Sequence, residues 1–242
     1  MYAIKTMKLM KQYKNVTAVD NLDLEIQKGE LFSLLGVNGA GKTTAIKMFS
    51  CLTKPTSGDA AVGGYSVTGE PDRVKRLIGV SPQETAIAPN LSVKENLELI
   101  CGIHGFSKEK TNAKIRELSQ KFALDEVFVR KAGKLSGGWQ RRVSIAMALI
   151  SEPEILFLDE PTLGLDVIAR HDLWDVIESL KGKATIVLTT HYMEEAEALS
   201  DRIGIMKNGR LLAMGTAEEL KQLSGAGDFE TAFVSIVKEG DV

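Results

Sequence analysis

Cysteine, charge imbalance and long apolar runs are what this sequence has least of. Its 242 residues include two cysteines, Cys51 and Cys101, each in an apolar stretch and without CxxC spacing. No disulfide framework or thiolate metal site can be built from them, and a reducing compartment suits them. Thirty Lys and Arg stand against 32 Asp and Glu, a net charge of −2. That balance lacks the basic excess of a nucleic-acid binder. The longest apolar run, Val143 to Ile150, is interrupted by Ser144 and falls far short of the roughly 20 residues of a membrane span. The opening, Met1-Tyr2-Ala3-Ile4-Lys5, holds no apolar stretch long enough for a signal peptide. If the protein works at a membrane, another chain crosses it. What is present, 44% hydrophobic and 26% charged residues, is an ordinary globular composition with core enough for one large domain or two small ones.

The chain opens as β. Leu22, Leu24 and Ile26 alternate with Asp23, Glu25 and Gln27, the period of a half-buried strand. Glu30 to Leu35 is an apolar strand running into a glycine-rich loop, and Thr43 to Leu52 suits a helix stopped by Pro55 and Gly58. The middle, about 86–150, reads as helical. Ser92-Val93-Lys94-Glu95 is a capping box, with Leu97, Ile100 and Cys101 at helical spacing behind it. Ile115, Leu118 and Phe122 mark a second helix, and a third begins near Trp139. Strands return at Ile155–Leu158 and Thr185–Leu188, apolar throughout and so buried on both faces as in a parallel sheet. Asn208-Gly209 predicts a hairpin between Arg202–Met206 and Leu211–Met214. Thr216 caps a short helix, and the stretch beyond Ser224 carries little signal.

Three stretches carry chemistry. Gly36-Val37-Asn38-Gly39-Ala40-Gly41-Lys42-Thr43 matches GxxxxGK[ST] between a strand and a helix. Its glycines let backbone N–H groups converge on phosphate, Lys42 reaches the β- and γ-phosphates, and the Thr43 hydroxyl ligates Mg²⁺. Asp159-Glu160 ends an apolar strand. Beside such a loop Asp159 suits Mg²⁺ through a water and Glu160 suits polarising an attacking water; the alternative is a solvated acidic turn. Leu135-Ser136-Gly137-Gly138-Trp139-Gln140-Arg141-Arg142 offers a hydroxyl and two bare amides where a helix begins. That is either a second anion site, suited to completing another copy's nucleotide, or a capped loop. Arg141-Arg142 reads as a solvated helix start.

Taken in order, the Gly36–Thr43 loop, Gln83, Leu135–Gln140, Asp159-Glu160, Asp166 and His191 resemble an ATP-binding cassette (ABC) ATPase across about residues 3 to 222. Glu160-Pro161-Thr162-Leu163-Gly164-Leu165-Asp166 and Thr190-His191-Tyr192-Met193-Glu194-Glu195-Ala196-Glu197 are closest to the cassette subunits of ABC-2-type, drug-resistance-like exporters. The resemblance implies an α/β fold: a RecA-like P-loop core, a small antiparallel β subdomain and an inserted helical subdomain. The cassette would fill 1–224, with 225–242 a tail. It implies ATP and Mg²⁺ as ligands and hydrolysis to ADP and phosphate. Tyr13 looks like the aromatic that stacks on adenine, a core aromatic being the alternative. Gln83 looks like the glutamine contacting Mg²⁺ and the attacking water, His191 the histidine on the γ-phosphate, and Asp166 the aspartate bridging protomers. ATP would rest on Gly36, Asn38, Gly39, Ala40, Gly41, Lys42, Thr43 and Thr44 of one chain and on Ser136, Gly137 and Gly138 of the other. The family's LSGGQ pattern is altered here, with Trp139 in place of glutamine and Gln140 one position later.

The same resemblance implies a second cassette, identical or closely related, and a separate integral membrane permease that holds the protein on the inner face of the cell membrane. Two other readings stay open: a soluble ABC ATPase clamping DNA or ribosomes, and another P-loop enzyme such as a kinase or GTPase. Neither a coiled-coil insertion nor a second cassette favours the first, and no NKxD motif favours the second.

Overall fold

A computed structural model describes residues 1–240. Strands β1 (Tyr2–Tyr13), β2 (Val16–Leu22) and β3 (Glu25–Gln27) open the chain, and β4 (Leu31–Leu35) leads through the glycine loop into α1 (Lys42–Phe49). Then come β5 (Ser57–Val62), β6 (Tyr65–Ser66), α2 (Pro71–Leu77) and β7 (Ile78–Ser81). Helices α3 (Val93–Ile103), α4 (Lys108–Lys121) and α5 (Gly137–Ala148) follow. The last part alternates: β8 (Ile155–Asp159), α6 (Val167–Glu178), β9 (Thr185–Thr190), α7 (Met193–Leu199), β10 (Arg202–Lys207) and β11 (Arg210–Gly215). Helices α8 (Ala217–Ser224) and α9 (Phe229–Glu239) come last.

Two sheets form. The central one runs β11-β10-β4-β9-β8-β7, parallel from β10 to β7 with only β11 antiparallel. Every residue of β4, β8 and β9 is buried, as their unbroken apolar runs require of strands covered on both faces. The smaller sheet is antiparallel, β2-β1-β5-β6, with β3 also on β1. One hydrophobic cluster joins the helical part to one face of the central sheet, through Leu97, Phe122, Val143, Leu158 and Leu188. A second joins the small sheet and α1 to the other face. There Phe32, Phe49 and Phe157 are wholly buried, contributing about 1.5–3 kcal/mol each.

Three local expectations need correction. The alternation through Leu22, Leu24 and Ile26 is broken into β2 and β3, although all three residues are buried. Side chains replace the ladder there: Thr6 Oγ1 accepts from the Leu24 amide at 2.7 Å, and Asp23 accepts from the Lys8 amide at 2.7 Å. The helix after the glycine loop starts one residue early and ends at Phe49, where Cys51 turns left-handed at φ 57°. Residues 225–242 are not simply a tail, since α9 buries Phe229, Phe233 and Ile236 beside β10 and α7; positions 241 and 242 lie outside the described residues.

The hairpin at Asn208-Gly209 forms as expected, both residues at positive φ, 48° and 81°, which gives the turn the hand of the strand twist. Both capping boxes, Ser92 with Glu95 and Thr216 with Glu219, are closed.

Candidate active site

Because β4, β8 and β9 are adjacent, parallel and in register, their carboxyl ends bring three loops together. Leu35 pairs Thr190, and Asp159 pairs Thr189. The glycine loop leaves β4, Glu160 follows β8 and His191 follows β9, the place where open α/β sheets bind ligands. A cleft of about 610 Å³ opens there, walled by Asn38 to Thr44 on one side and by Gln83, Glu160 and His191 on the other.

The loop depends on glycine at two points. A Cβ on Gly36 would lie 2.3 Å from the Met206 carbonyl, and Gly41, at φ 104°, would drive one to 2.4 Å from that of Ala18. The β10–β11 hairpin pins the loop from outside: the Gly209 amide donates to Ala40 O at 3.0 Å. Helix α1 starts at Gly41 with no side-chain cap, so its first-turn amides are left for an anion.

Lys42, 5% exposed, donates to Gly36 O at 2.6 Å and Val37 O at 3.3 Å, and pairs Glu160 Oε1 at 3.1 Å. Glu160 Oε2 meets His191 Nδ1 at 2.7 Å. The turn that sets this carboxylate is strained, with Glu160 at φ 49°, a conformation that persists only when neighbours over-determine it. One such neighbour is Thr189, whose Oγ1 accepts from the Glu160 amide at 3.0 Å and donates to Asp159 Oδ1 at 2.6 Å. Thr43 Oγ1 reaches that same Asp159 oxygen at 3.0 Å. The two adjacent acids therefore do not form a solvated turn. Both are buried, one matched by hydroxyls and the other by Lys42 and His191.

The remaining predicted residues divide. Gln83 is exposed at the lip of the cleft, whereas Tyr13 does not line it. Tyr13 ends β1 with its ring 4.9 Å from Lys11 Nζ, and the wall on that side is Val16, Thr17 and Ala18. Ser136, Gly137 and Gly138 lie outside the cleft, at the start of α5. The Ser136 hydroxyl caps nothing, and a Cβ on Gly137 or Gly138 would stand 3.5 Å from Leu165 or 3.4 Å from Ala169. Asp166 stands on this second face, accepting from the Ala169 amide at 2.9 Å as the cap of α6. Trp139 packs on the helical core under Arg142, 5.1 Å from its ring.

Arg141 departs from its sequence reading. Far from solvated, it is 5% exposed and forks onto two carbonyls, Pro82 O at 2.6 Å and Gln83 O at 2.8 Å. Burial draws its pKa down from the ordinary value, opposed by the charges of Asp159, Glu195 and Glu160. Helix α5, which carries the second face at its start, thus grips the backbone of the cleft's glutamine. Arg142 pairs Asp172 at 3.1 Å. Thr189 escaped the sequence reading and Arg141 was misread; one of three threonines in a buried strand and one arginine of a basic pair give no local signal.

A family model described as ABC transporter matches residues 19–163. The doxorubicin resistance ATP-binding protein DrrA of Mycobacterium tuberculosis (strain H37Rv) is 44% identical over 212 residues, 87% of this chain and 64% of that protein. The chain thus spans just under two thirds of that relative's length. A solved ATP-binding subunit of an ABC transporter superposes with a TM-score of 0.85 at 28% identity, over 97% of this chain and 99% of its own. A dimeric ATP-binding cassette in a post-hydrolysis state bound to ADP and Pi gives 0.80 at 29% identity, over 88% and 98%.

Proposed function

Because this chain belongs to the ABC transporter family, we propose that it is the ATP-binding and ATP-hydrolysing subunit of an exporter, driving a separate membrane permease by nucleotide-dependent dimerisation. The observation that carries this reading is the convergence of Lys42, Glu160 and His191 at one cleft while Ser136–Gly138 and Asp166 stand on another face. One chain offers each half of a nucleotide site, but not both halves to the same nucleotide.

In this reading the first-turn amides of α1 and the Lys42 ammonium hold the β- and γ-phosphates, the lysine exchanging loop carbonyls for phosphate oxygens. Val16, with Tyr13 behind it at the hairpin tip, offers apolar surface to the base. Glu160 accepts a hydrogen bond from the attacking water and orients it, the electron pair of the breaking bond passing to the β-phosphate oxygen of ADP. His191, held by Glu160, steadies the γ-phosphate. The donor set suits Mg²⁺: the Thr43 hydroxyl and the Asp159 carboxylate are hard oxygens 3.0 Å apart, with Gln83 at the lip. No group of three His, Cys, Asp or Glu among the described residues could hold a metal by itself, as befits an ion that shares its coordination with phosphates and water. Bound there, Mg²⁺ would neutralise charge between the phosphates. The second cassette would supply Ser136, Gly137 and Gly138 to the γ-phosphate, and Asp166 would stand at the join.

No helix among the described residues is long and apolar enough to cross a membrane; in the proposed reading a separate permease does so and holds this subunit on the inner membrane face. The resistance named for the mycobacterial relative supports export of a drug-like molecule. The test is Glu160→Gln. It should keep ATP binding, slow turnover about 10²-fold or more, and trap an ATP-bound dimer visible by light scattering. Unchanged turnover removes Glu160 from this role.

A further inference from the structure

Apart from the groups that meet at the cleft, one acid among the described residues is completely buried. Glu195, on the first turn of α7, has 0% exposure. Its Oε1 accepts from Trp174 Nε1 on α6 at 3.1 Å. Its Oε2 makes no hydrogen bond, and neither does the equally buried Thr162 Oγ1. The hydroxyls of Thr162 and Thr190 face the carboxyl. Thr190 Oγ1 already accepts from the Tyr192 amide at 3.0 Å, which leaves its proton free for the acid. These two threonines flank the reacting pair: Thr162 lies two residues after Glu160, and Thr190 immediately precedes His191.

We propose that Glu195 is a positioning residue whose carboxyl, shared among Trp174, Thr162 and Thr190, holds the turn bearing Glu160 in register with the turn bearing His191. The proposal rests on the reading of Glu160 and His191 as the hydrolytic pair. A left-handed Glu160 needs neighbours to fix it; Thr189 holds its amide through both carbonyl and hydroxyl, and the register of β8 with β9 ends at Asp159 and Thr189. Beyond that point, besides the Glu160–His191 contact itself, Glu195 faces a threonine beside each turn.

Burial favours the neutral form of this acid. Burial is the foremost influence and pushes its pKa above the ordinary 4.5, the negative charge of Glu160 adding to this and the facing donors of Thr190, Thr162 and Trp174 opposing it. Arg141, from α5, is a cation within electrostatic reach, with two of its five N–H donors given to Pro82 and Gln83. Arg170 on α6 turns its guanidinium to the Tyr192 ring and to Glu194, while its buried Nε makes no hydrogen bond. A neutral acid supplies an O–H, and Thr162 Oγ1 is an unused acceptor.

The experiment compares Glu195→Gln, Glu195→Asp and Glu195→Ala in the full chain. Glutamine keeps one donor and one acceptor, so its kcat and KM for ATP should stay within about twofold of wild type. Aspartate, a methylene too short, and alanine should lower kcat about tenfold while KM moves less than about threefold. Two further readouts are independent of activity. Infrared difference spectra of wild type against Glu195→Gln should show a protonated carboxyl band at pH 7. The melting temperature of Glu195→Gln relative to wild type should rise with pH above 4.5, because the wild-type acid must lose a proton on unfolding and the amide need not. Inactive Glu195→Gln, full activity in both Glu195→Asp and Glu195→Ala, no carboxyl band, or a pH-independent difference would each overturn the proposal. Wild-type hydrolysis with unimpaired Glu195 variants sinks this inference alone, whereas a wild type that hydrolyses no ATP sinks the functional reading with it.

Discussion

Lys42 and Glu160 illustrate how one contact serves two ends. The pair lies 3.1 Å apart and nearly without solvent, where removal of one partner strands the other's charge at a cost of about 3–5 kcal/mol. Lys42→Ala should therefore abolish tight ATP binding or hydrolysis and also lower the melting temperature. The double variant Lys42→Ala with Glu160→Gln should regain part of that temperature while staying inactive. A calorimetric double-mutant cycle checks this, and strictly additive losses would show that the pair is uncoupled. At this scale the sequence was most readable where partners are contiguous. The glycine loop and Asp159-Glu160 announce themselves because a phosphate cradle and a strand end are local objects. Arg141 was misread because its partners, Pro82 and Gln83, lie 59 and 58 residues away. Glu195 stood in the sequence only as part of the exporter-like stretch after Thr190, its burial being decided by α6 and the turn after β8.

Helix α5 is the element that ties the helical part to the cleft. Its start bears Ser136–Gly138, its middle buries Val143, Ile145 and Ala146 against the sheet, and its second turn holds the Gln83 backbone. The helical part is therefore tied to the cleft by a guanidinium fork, whose planar geometry lysine cannot reproduce. Arg141→Lys should slow turnover several-fold with little change in ATP affinity. Arg141→Met should leave two carbonyls short of a donor at about 1–3 kcal/mol each. Hydrogen exchange around residues 82–85 should quicken in both variants; unchanged protection there would dissolve the link. Elements were legible when their pattern was strong, as in the apolar β4, β8 and β9 or the Asn208-Gly209 turn. Helix α9 was missed although Phe229, Phe233 and Ile236 have helical spacing, because the stretch beyond Ser224 was read as a tail of little signal. The break between β2 and β3 depends on Thr6 and Asp23 serving as backbone partners, a substitution that no alternation of apolar residues reveals.

The whole molecule presents two faces, one holding the cleft and one the start of α5. That division was legible only through the order of several motifs; composition and length, which would suit many soluble enzymes, were silent on it. A Ser136→Arg exchange belongs to the second face and leaves the cleft's lining untouched. In a Glu160→Gln background it should spare ATP binding by the single chain and prevent the doubling of mass with ATP and magnesium. A dimer that persists would move the joint elsewhere. The position of β4 has a consequence for how the protein comes into being. Its two neighbours in the sheet are β9 and β10, and the hairpin that pins the glycine loop comes later still. A nascent chain emerging from the ribosome therefore carries its phosphate-binding strand unflanked until residues beyond 185 follow. The earliest-made piece of the central sheet is completed by some of the last, so a prematurely released fragment gains no nucleotide grip.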